Sequence, residues 1–283
     1  MAPFLFLGDR SIPAYSMTPY QQSSISGRVA RTRAALIHLL GSVLVVGMLS
    51  LVVVGIWYPT PYWKSSGGLN LLALMAGVDV VMGPLVTLVI FNIRKPIKEL
   101  RTDILLVVLL QLSAMGYGLW SAYQARPLFN VFEYRLFRVV HAADIPETLP
   151  GGAPAVGVVG MPSVFDRPKL LTLRDFQNDQ EQIEATAMAL EGLSLASRPD
   201  FWRPYEDAQV AVRAAAKPIR ELVDSGQVDA DTVSALTHDT GQSVDAFGYL
   251  PMVDRVGDWV VVVDLQTSQP VAYWELRGSE QGH

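Results

Sequence analysis

The chain has 283 residues, of which 50% are hydrophobic and only 17% are charged. The first 125 residues carry nine Lys and Arg against four Asp and Glu, whereas the remaining residues carry 13 against 23. A charge-poor, weakly basic front half and an acidic back half exclude a single soluble globule. They also exclude a nucleic-acid-binding protein, which would need a basic exposed surface.

The N-terminal part of the chain is predicted to be an α-helical membrane module. Residues 1–35 are expected to form a cytoplasmic tail that is mostly disordered, because Ser, Pro and Tyr dominate its beginning without periodicity. Three apolar segments follow, each long enough to cross a hydrocarbon core of about 30 Å as a helix. A cleaved signal peptide would have a shorter apolar stretch than the first of them. The three predicted transmembrane helices, within residues 36–125, are 36–58, 69–91 and 104–125.

The orientation of the three helices is predicted from the basic residues that flank them. The segment before the first helix and the loop between the second and third are basic, whereas the loop over residues 59–68 carries only Lys64. The positive-inside rule therefore places the N-terminus in the cytoplasm and residues 126–283 in the periplasm. We expect a multi-pass protein of the bacterial inner (cytoplasmic) membrane. The residues that determine this topology are Arg28, Arg31, Arg33, Arg94, Lys95, Lys98 and Arg101.

One acidic side chain lies inside the predicted transmembrane helices. Asp79 is near the middle of the second helix, where an ionised carboxylate costs several kcal/mol. Asp79 either binds a partner helix or carries a proton, or it is a protonated group that holds the three helices together. Its candidate hydrogen-bond partners are Gln111 and Ser113 on the third helix. One turn after Asp79, Gly83 and Pro84 predict a kink, because proline frees a backbone carbonyl.

Residues 126–283 are predicted to form a small α+β periplasmic domain. Residues 128–140 alternate and are rich in Phe and Val, which is typical of a strand, and residues 151–162 are a second strand or a loop. A C-terminal β-hairpin is predicted from segments 258–265 and 270–276, with residues 260–263 in a central strand because both of their faces are apolar. Helical spacing predicts three further elements, over residues 179–193, 205–223 (broken near Pro218) and 229–236.

No pattern of residues in the chain indicates catalysis. The four histidines, His38, His141, His238 and His283, are not spaced as metal ligands on a helix, and no nucleophile or phosphate-binding motif occurs. The absence of cysteine excludes thiol chemistry and Cys-ligated metals. His141 beside Asp144 could act as a general base, although the sequence favours a histidine at the surface. We therefore predict a non-enzymatic protein without a metal or cofactor.

Several segments resemble the bacterial type IV pilin accessory protein family. The most specific are the sequence GVDVVMGPL, which contains Asp79, and the Arg126-Pro127 pair that follows the third helix. The resemblance extends from about Arg33 to Trp274, with its segments in the same order as in the family. These segments are residues 57–92, 123–145, 165–170, 198–208 and 250–274.

The resemblance implies an inner-membrane protein that assists a type IV pilin in stability, assembly or pilus dynamics, and it implies no catalytic residues. The expected partner is the major pilin, with its apolar N-terminal helix against the transmembrane helices and its head against the periplasmic domain. Other inner-membrane proteins of the pilus machinery and the lipid bilayer are further expected partners, and nucleic acid is not. The alternative is a general envelope sensor or regulator unrelated to pili.

Overall fold

The computed structural model describes residues 19–90, 95–148 and 159–278, with side chains from Arg28 onward. The chain forms a helical region (28–124) followed by a sheet domain (127–278). The three predicted transmembrane segments are long helices, and each is long and apolar enough to cross a membrane. They are Arg28–Trp57, Gly68–Ile90 and Ile97–Gln124, which we call the first, second and third spans.

The first span begins earlier than the sequence predicts. Helix α1 covers Pro19–Val52 and continues as a π-helical turn that ends at Trp57. The prediction of a mostly disordered tail over residues 1–35 is therefore wrong from Pro19 onward, and residues 1–18 lie outside the described residues. No proline occurs between Pro19 and Pro59, so nothing in this stretch stops the helix from extending upstream of the apolar segment.

The second span changes its helical geometry in the middle. The change lies directly before Pro84, which has no N–H for a regular intrahelical hydrogen bond. Asp79 is part of the resulting π-helical turn. Gly83 and Pro84 thus follow the irregularity, where the sequence predicts a kink. The elements from the preceding loop to the end of this span are α2 (Tyr62–Ser65), α3 (Gly68–Ala76), the π-helical turn Gly77–Met82 and α4 (Gly83–Ile90).

The third span is a single helix, α5 (Ile97–Gln124), which begins before the predicted start at Ile104. The extra turns contain Lys98 and Arg101, and they follow Pro96, the residue that precedes the helix. The polar residues continue the helix because residues other than proline cost little free energy in the interior of an α-helix. Arg94 lies outside the described residues.

Among the described residues, the sheet domain is built on one mixed sheet of eight strands. The strand order is β4-β3-β1-β2-β6-β7-β8, with β5 paired to β6; the β1/β3 and β2/β6 pairs are parallel and the others antiparallel. The strands are β1 (Pro127–Glu133), β2 (Leu136–His141), β3 (Lys169–Leu173), β4 (Trp202–Pro204), β5 (Lys217–Pro218), β6 (Phe247–Val253), β7 (Trp259–Asp264) and β8 (Pro270–Glu275).

The single strand predicted over residues 128–140 is wrong, because this segment is a β-hairpin of β1 and β2. The chain reverses at Tyr134, whose φ of 57° is in the left-handed region. The turn is closed by the Arg135 amide, which donates to the Glu133 carbonyl at 2.6 Å. None of these residues is Gly, Asn or Pro, so the sequence carries no turn signal at this position.

The predicted C-terminal hairpin is confirmed by the antiparallel pairing of β7 and β8. Strand β7 is buried along its whole length between β6 and β8, as the apolar character of both of its faces indicates. Val261 and Val263 belong to one apolar core, whereas Val260 and Val262 belong to another on the opposite face. The alternation of side chains along a strand accounts for this division.

The helices of the sheet domain follow the predicted order with different bounds. The predicted break near Pro218 is confirmed, since the segment over 205–223 is divided by strand β5. Of the predicted second strand or loop over 151–162, residues 159–162 form no strand and the others lie outside the described residues. The helices are α6 (Asp179–Leu190), α7 (Gln209–Ala215), α8 (Arg220–Asp224) and α9 (Ala230–Thr240).

One apolar core joins the sheet domain to the ends of the spans. Tyr58, directly after the first span, is fully buried together with Ala122 of α5, Phe137 of β2 and Val261 of β7. The Tyr58 hydroxyl also donates to the Ala122 carbonyl at 3.0 Å. The helical region and the sheet domain are therefore packed against each other and share buried side chains.

Candidate functional site

Polar side chains from all three spans meet at one level of the helical region. His38 of α1 hydrogen-bonds through Nδ1 to the Thr87 hydroxyl of α4 at 2.5 Å. Gln111 of α5 donates from Nε2 to the backbone carbonyl of Asp79 at 3.5 Å. These contacts connect the three spans, because each pair joins the second span to one of the other two.

Gly83 makes the close approach of these groups possible. A Cβ atom at this position would lie 2.0 Å from Gln111 Nε2 and 3.2 Å from His38 Nε2. His38 and Gln111 thus occupy the space that a larger side chain at position 83 would fill. We call the set formed by His38, Asp79, Gly83, Thr87 and Gln111 the polar layer.

The carboxyl group of Asp79 is buried and incompletely satisfied. Asp79 is 5% exposed, and its Oδ1 has no hydrogen-bond partner among the residues that the structure describes. The side chain lines a cavity of about 220 Å³ between the three spans, together with Ser42, Gln111 and Met115. A buried polar atom without a partner costs free energy, so this carboxyl group can accept a hydrogen bond from a group that enters the cavity, or donate one when protonated.

A second cavity of about 530 Å³ lies next to the first and shares His38 with it. Its walls include Arg33 of α1, Thr87 of α4 and Ile104 of α5. Arg33 and the N-terminal half of α5 therefore lie at the same end of the helical region. Most of the lining is apolar, which suits an apolar helix or lipid chain more than a soluble ligand.

The structure brings together only part of the predicted intramembrane site. Gln111 reaches Asp79 through the backbone carbonyl and not through the carboxyl group. Ser113 is exposed and donates to the Leu109 carbonyl of its own helix at 2.8 Å, so it does not take part in the polar layer. His38 and Thr87 were not predicted to belong to this site. The signal in the sequence is a histidine inside an apolar segment, where an ionisable residue usually has a partner.

A second polar cluster joins the loop between the first two spans to the sheet domain. Asp254, at the end of β6, accepts hydrogen bonds at Oδ2 from the hydroxyls of Ser65 (2.6 Å) and Ser66 (2.7 Å). The Val256 amide donates to the Ser65 carbonyl at 2.8 Å. The loop is therefore fixed to the sheet domain by side-chain and backbone hydrogen bonds.

His141 lies in the same cluster and is 1% exposed, so the expectation of a surface histidine is wrong. Its Nδ1 is 2.9 Å from Asp144 Oδ2, and its Nε2 is 3.3 Å from Asp254 Oδ1. Burial disfavours the imidazolium, but the two carboxylates outweigh burial and raise the pKa of His141 above its ordinary value. Burial likewise opposes ionisation of the acids, yet contact with His141 lowers the pKa of Asp144 to about 2 and lowers that of Asp254. We call His141, Asp144, Asp254, Ser65 and Ser66 the junction cluster.

The junction cluster is suited to holding two parts of the chain together. His141 is hydrogen-bonded to Asp144 through Nδ1, and its Nε2 faces the buried Asp254 carboxylate at 3.3 Å. Within the described ranges, no group of three or more His, Asp or Glu side chains is placed to hold a metal ion. The geometry of this cluster is therefore that of a buried ionic contact.

Comparison with known proteins identifies the relatives of the chain. A fimbrial assembly protein of serogroup I from Dichelobacter nodosus is 34% identical over 232 residues, which are 81% of this chain and 88% of the relative. The chain belongs to the family of these fimbrial assembly proteins. The family model, described as fimbrial assembly protein FimB, matches residues 28–67.

Two other relatives from Dichelobacter nodosus agree with this assignment. The fimbrial assembly protein of serogroup E1 is 33% identical over 81% of this chain and 88% of the relative. That of serogroups C1 and C2 is 40% identical over 38% of this chain and 83% of the relative. No solved structure matches the chain significantly. The resemblance to pilus accessory proteins is thus confirmed, and the family supports a role in pilus assembly.

Proposed function

We propose that this protein is a non-enzymatic accessory protein of the bacterial inner membrane that assists its cognate type IV pilin. The family supports the link to pilus assembly, and three long apolar helices support a membrane protein. The observation that carries the finer proposal is the buried Asp79 carboxyl group, which lines a cavity between the spans with one oxygen unpartnered. Such a site is suited to a helix that approaches from within the bilayer.

The proposed orientation has the N-terminus in the cytoplasm and the sheet domain in the periplasm. The basic residues Arg33 and Lys98 lie near the cytoplasmic ends of the first and third spans in this orientation. The sheet domain then projects from the outer surface of the membrane. It would face the globular head of a pilin that is anchored in the same membrane by its N-terminal helix.

The mechanism is lateral docking of one pilin subunit. The apolar helix of the pilin packs along the spans, and a polar group on that helix hydrogen-bonds to Asp79 in the low-dielectric interior, where a missing partner is costly. The sheet domain contacts the head at the same time. Because the core around Tyr58 and Ala122 fixes the sheet domain to the spans, both contacts have a defined relative position.

Site-specific photocrosslinking in pilin-producing cells tests the proposal. A photoreactive amino acid at Met115, which lines the cavity beside Asp79, is expected to form an adduct with the major pilin. The matched control is Leu110, an exposed residue of the same helix that lines neither cavity between the spans. A pilin adduct at Leu110 and none at Met115 would contradict docking at the polar layer.

Deletion of the protein separates the proposal from its alternative. If the protein assists the pilin, its loss lowers the amount of pilin on the cell surface, and expression of the intact chain restores it. Unchanged surface pilin in the deletion strain would instead favour a general envelope sensor or regulator.

A further inference from the structure

A short loop of the sheet domain is tied to the end of the first span. The indole nitrogen of Trp57, the last residue of that span, donates to the Val164 carbonyl at 2.8 Å across 107 positions of sequence. The loop therefore lies at the level where the first span ends.

Trp57 and Arg126 are themselves buried, and the aromatic rings and cation around them lie where the first and third spans end. The Trp57 ring contacts that of Tyr123 edge to face, with the centroids 5.4 Å apart. The guanidinium of Arg126 lies 3.6 Å from the centroid of the Tyr123 ring. Aromatic rings and a cation at the ends of apolar helices are typical of the headgroup level of a bilayer.

The loop makes a tight turn that presents apolar side chains at its tip. The Ser163 amide donates to Asp166 Oδ2 at 2.9 Å, and the Asp166 amide donates to the Ser163 carbonyl at 3.2 Å. Val164 and Phe165 occupy the central positions of this turn and are 41% and 79% exposed. Met161, just before the turn, is 56% exposed. Three large apolar side chains within five residues are unfavourable in water.

We propose that the Ser163–Asp166 turn inserts Val164 and Phe165 into the outer boundary between headgroups and acyl chains of the bilayer that the three spans cross. The partner is lipid, because the turn is fixed to the interfacial end of the first span. The exposed Arg167 follows the turn directly, where it suits anionic headgroups, whereas Lys169 is paired with Asp166 at 3.2 Å. The proposal rests on the proposed membrane insertion of the spans. The insertion gives the sheet domain a direct contact with the membrane, in addition to its covalent connection to the third span.

The test uses the full-length chain, which contains no cysteine, so that a single introduced cysteine carries the only label. Phe165→Cys is labelled with an environment-sensitive fluorophore and reconstituted in vesicles of phosphatidylethanolamine and phosphatidylglycerol. Lipids with a nitroxide near the headgroup, or deep in the acyl chain, serve as quenchers. Leu44→Cys, an exposed position of the first span, is the control for membrane insertion.

The control for distance from the membrane is His238→Cys, an exposed position on α9. This helix packs on the sheet face that contains Val260 and Val262, opposite the face that contacts Tyr58. We expect the label at position 165 to lose several-fold more fluorescence than that at 238, and to be quenched more by the shallow nitroxide. The label at position 44 should be quenched more by the deep one.

The outcomes distinguish this proposal from the one on which it rests. Quenching at position 44 without quenching at 165 overturns the anchor while the membrane insertion of the spans stands. No quenching at position 44 means that the spans are not inserted, and both proposals fail. A label at 165 that lipids do not quench, in a chain that crosslinks to pilin through the same residue in cells, would make the turn a protein contact and not a lipid contact.

Discussion

The Ser65 hydroxyl donates a hydrogen bond of 2.6 Å to the Asp254 carboxylate, although 189 positions of sequence separate the two residues. This contact joins the loop between the first two spans to the sheet domain. Asp254 also faces His141, and its carboxylate side chain is completely buried. The junction cluster is therefore a place where a change in one charge alters how the two parts of the protein are held together.

Replacing Asp254 by Asn should loosen this junction. The amide keeps one acceptor for the serine hydroxyls but removes the negative charge beside His141, so we expect a loss of about 1–3 kcal/mol in the free energy of unfolding. Asp258→Asn, at an exposed position nearby, is the matched control. The measurement is thermal or denaturant unfolding of the purified protein. Equal stability of the two variants would show that the charge of Asp254 does not matter.

The stability of the protein should depend on pH through His141. Because the pKa of His141 is raised on folding, its contribution is fully present below the ordinary histidine pKa of about 6.5 and is lost as the pH rises through the folded value. The lowered pKa values of Asp144 and Asp254 act in the opposite direction, so their contribution is lost as the pH falls below about 4. We expect maximal stability between these limits.

The melting temperature measured from about pH 2 to pH 9 checks both sides of this dependence. His141→Gln should flatten the decrease of the melting temperature on the alkaline side, whatever its effect on the melting temperature itself. His238→Gln, at an exposed position, should leave the slope unchanged. An unchanged alkaline slope in His141→Gln would assign the dependence to another group.

Substitution of Asp79 should separate hydrogen bonding from charge. In the interior of a membrane the neutral acid is favoured over the carboxylate, and Asn mimics the neutral acid as both donor and acceptor. We expect Asp79→Asn to retain most of the surface pilin and Asp79→Leu to lose protein stability or partner binding. Surface pilin and the abundance of the variant are measured in parallel.

Two results would contradict this interpretation of Asp79. An Asn variant as inactive as Leu at normal abundance would mean that proton release or a negative charge is needed. A Leu variant with wild-type surface pilin would mean that Asp79 has no role in the proposed function.

Gly83→Ala should disturb the polar layer, because its Cβ would lie 2.0 Å from Gln111 Nε2. We expect a loss of about 1–3 kcal/mol in stability from this overpacking. Gly77→Ala is the control in the same span, since a Cβ there meets nothing within 4 Å. The additional change Gln111→Ala should recover much of the lost stability. The stability of all variants is measured by unfolding in detergent. A double variant as unstable as the sum of the two single variants would show that Gln111 is not the obstructing group.

The orientation of the spans is tested by reporter fusions. A phosphatase that needs export should be active when fused after Gly278 and inactive when fused after Lys98, because the loop before the third span is basic. The opposite pattern would invert the topology, and with it the proposed side of contact with the pilin head.

The sequence by itself determined the features that depend on local hydrophobic patterns. The three apolar helices follow from long uncharged segments, and the β7–β8 hairpin from apolar residues on both faces of a strand. The family resemblance was also readable from short segments. These features are local because the length of an apolar run and the alternation of side chains need no knowledge of what packs against them.

Only the tertiary structure decided which polar groups meet. His38 and Thr87 are 49 positions apart, and Trp57 and Val164 are 107 positions apart. His141 is a polar residue at the end of β2; Asp144 follows it by three positions, but Asp254 is brought beside it only by the packing of β6 against β2. Such contacts depend on how the spans and strands are arranged in space, and the free energy of a buried polar group depends on the partner it finds there. The pattern of residues along the chain does not show which partner a buried polar group finds.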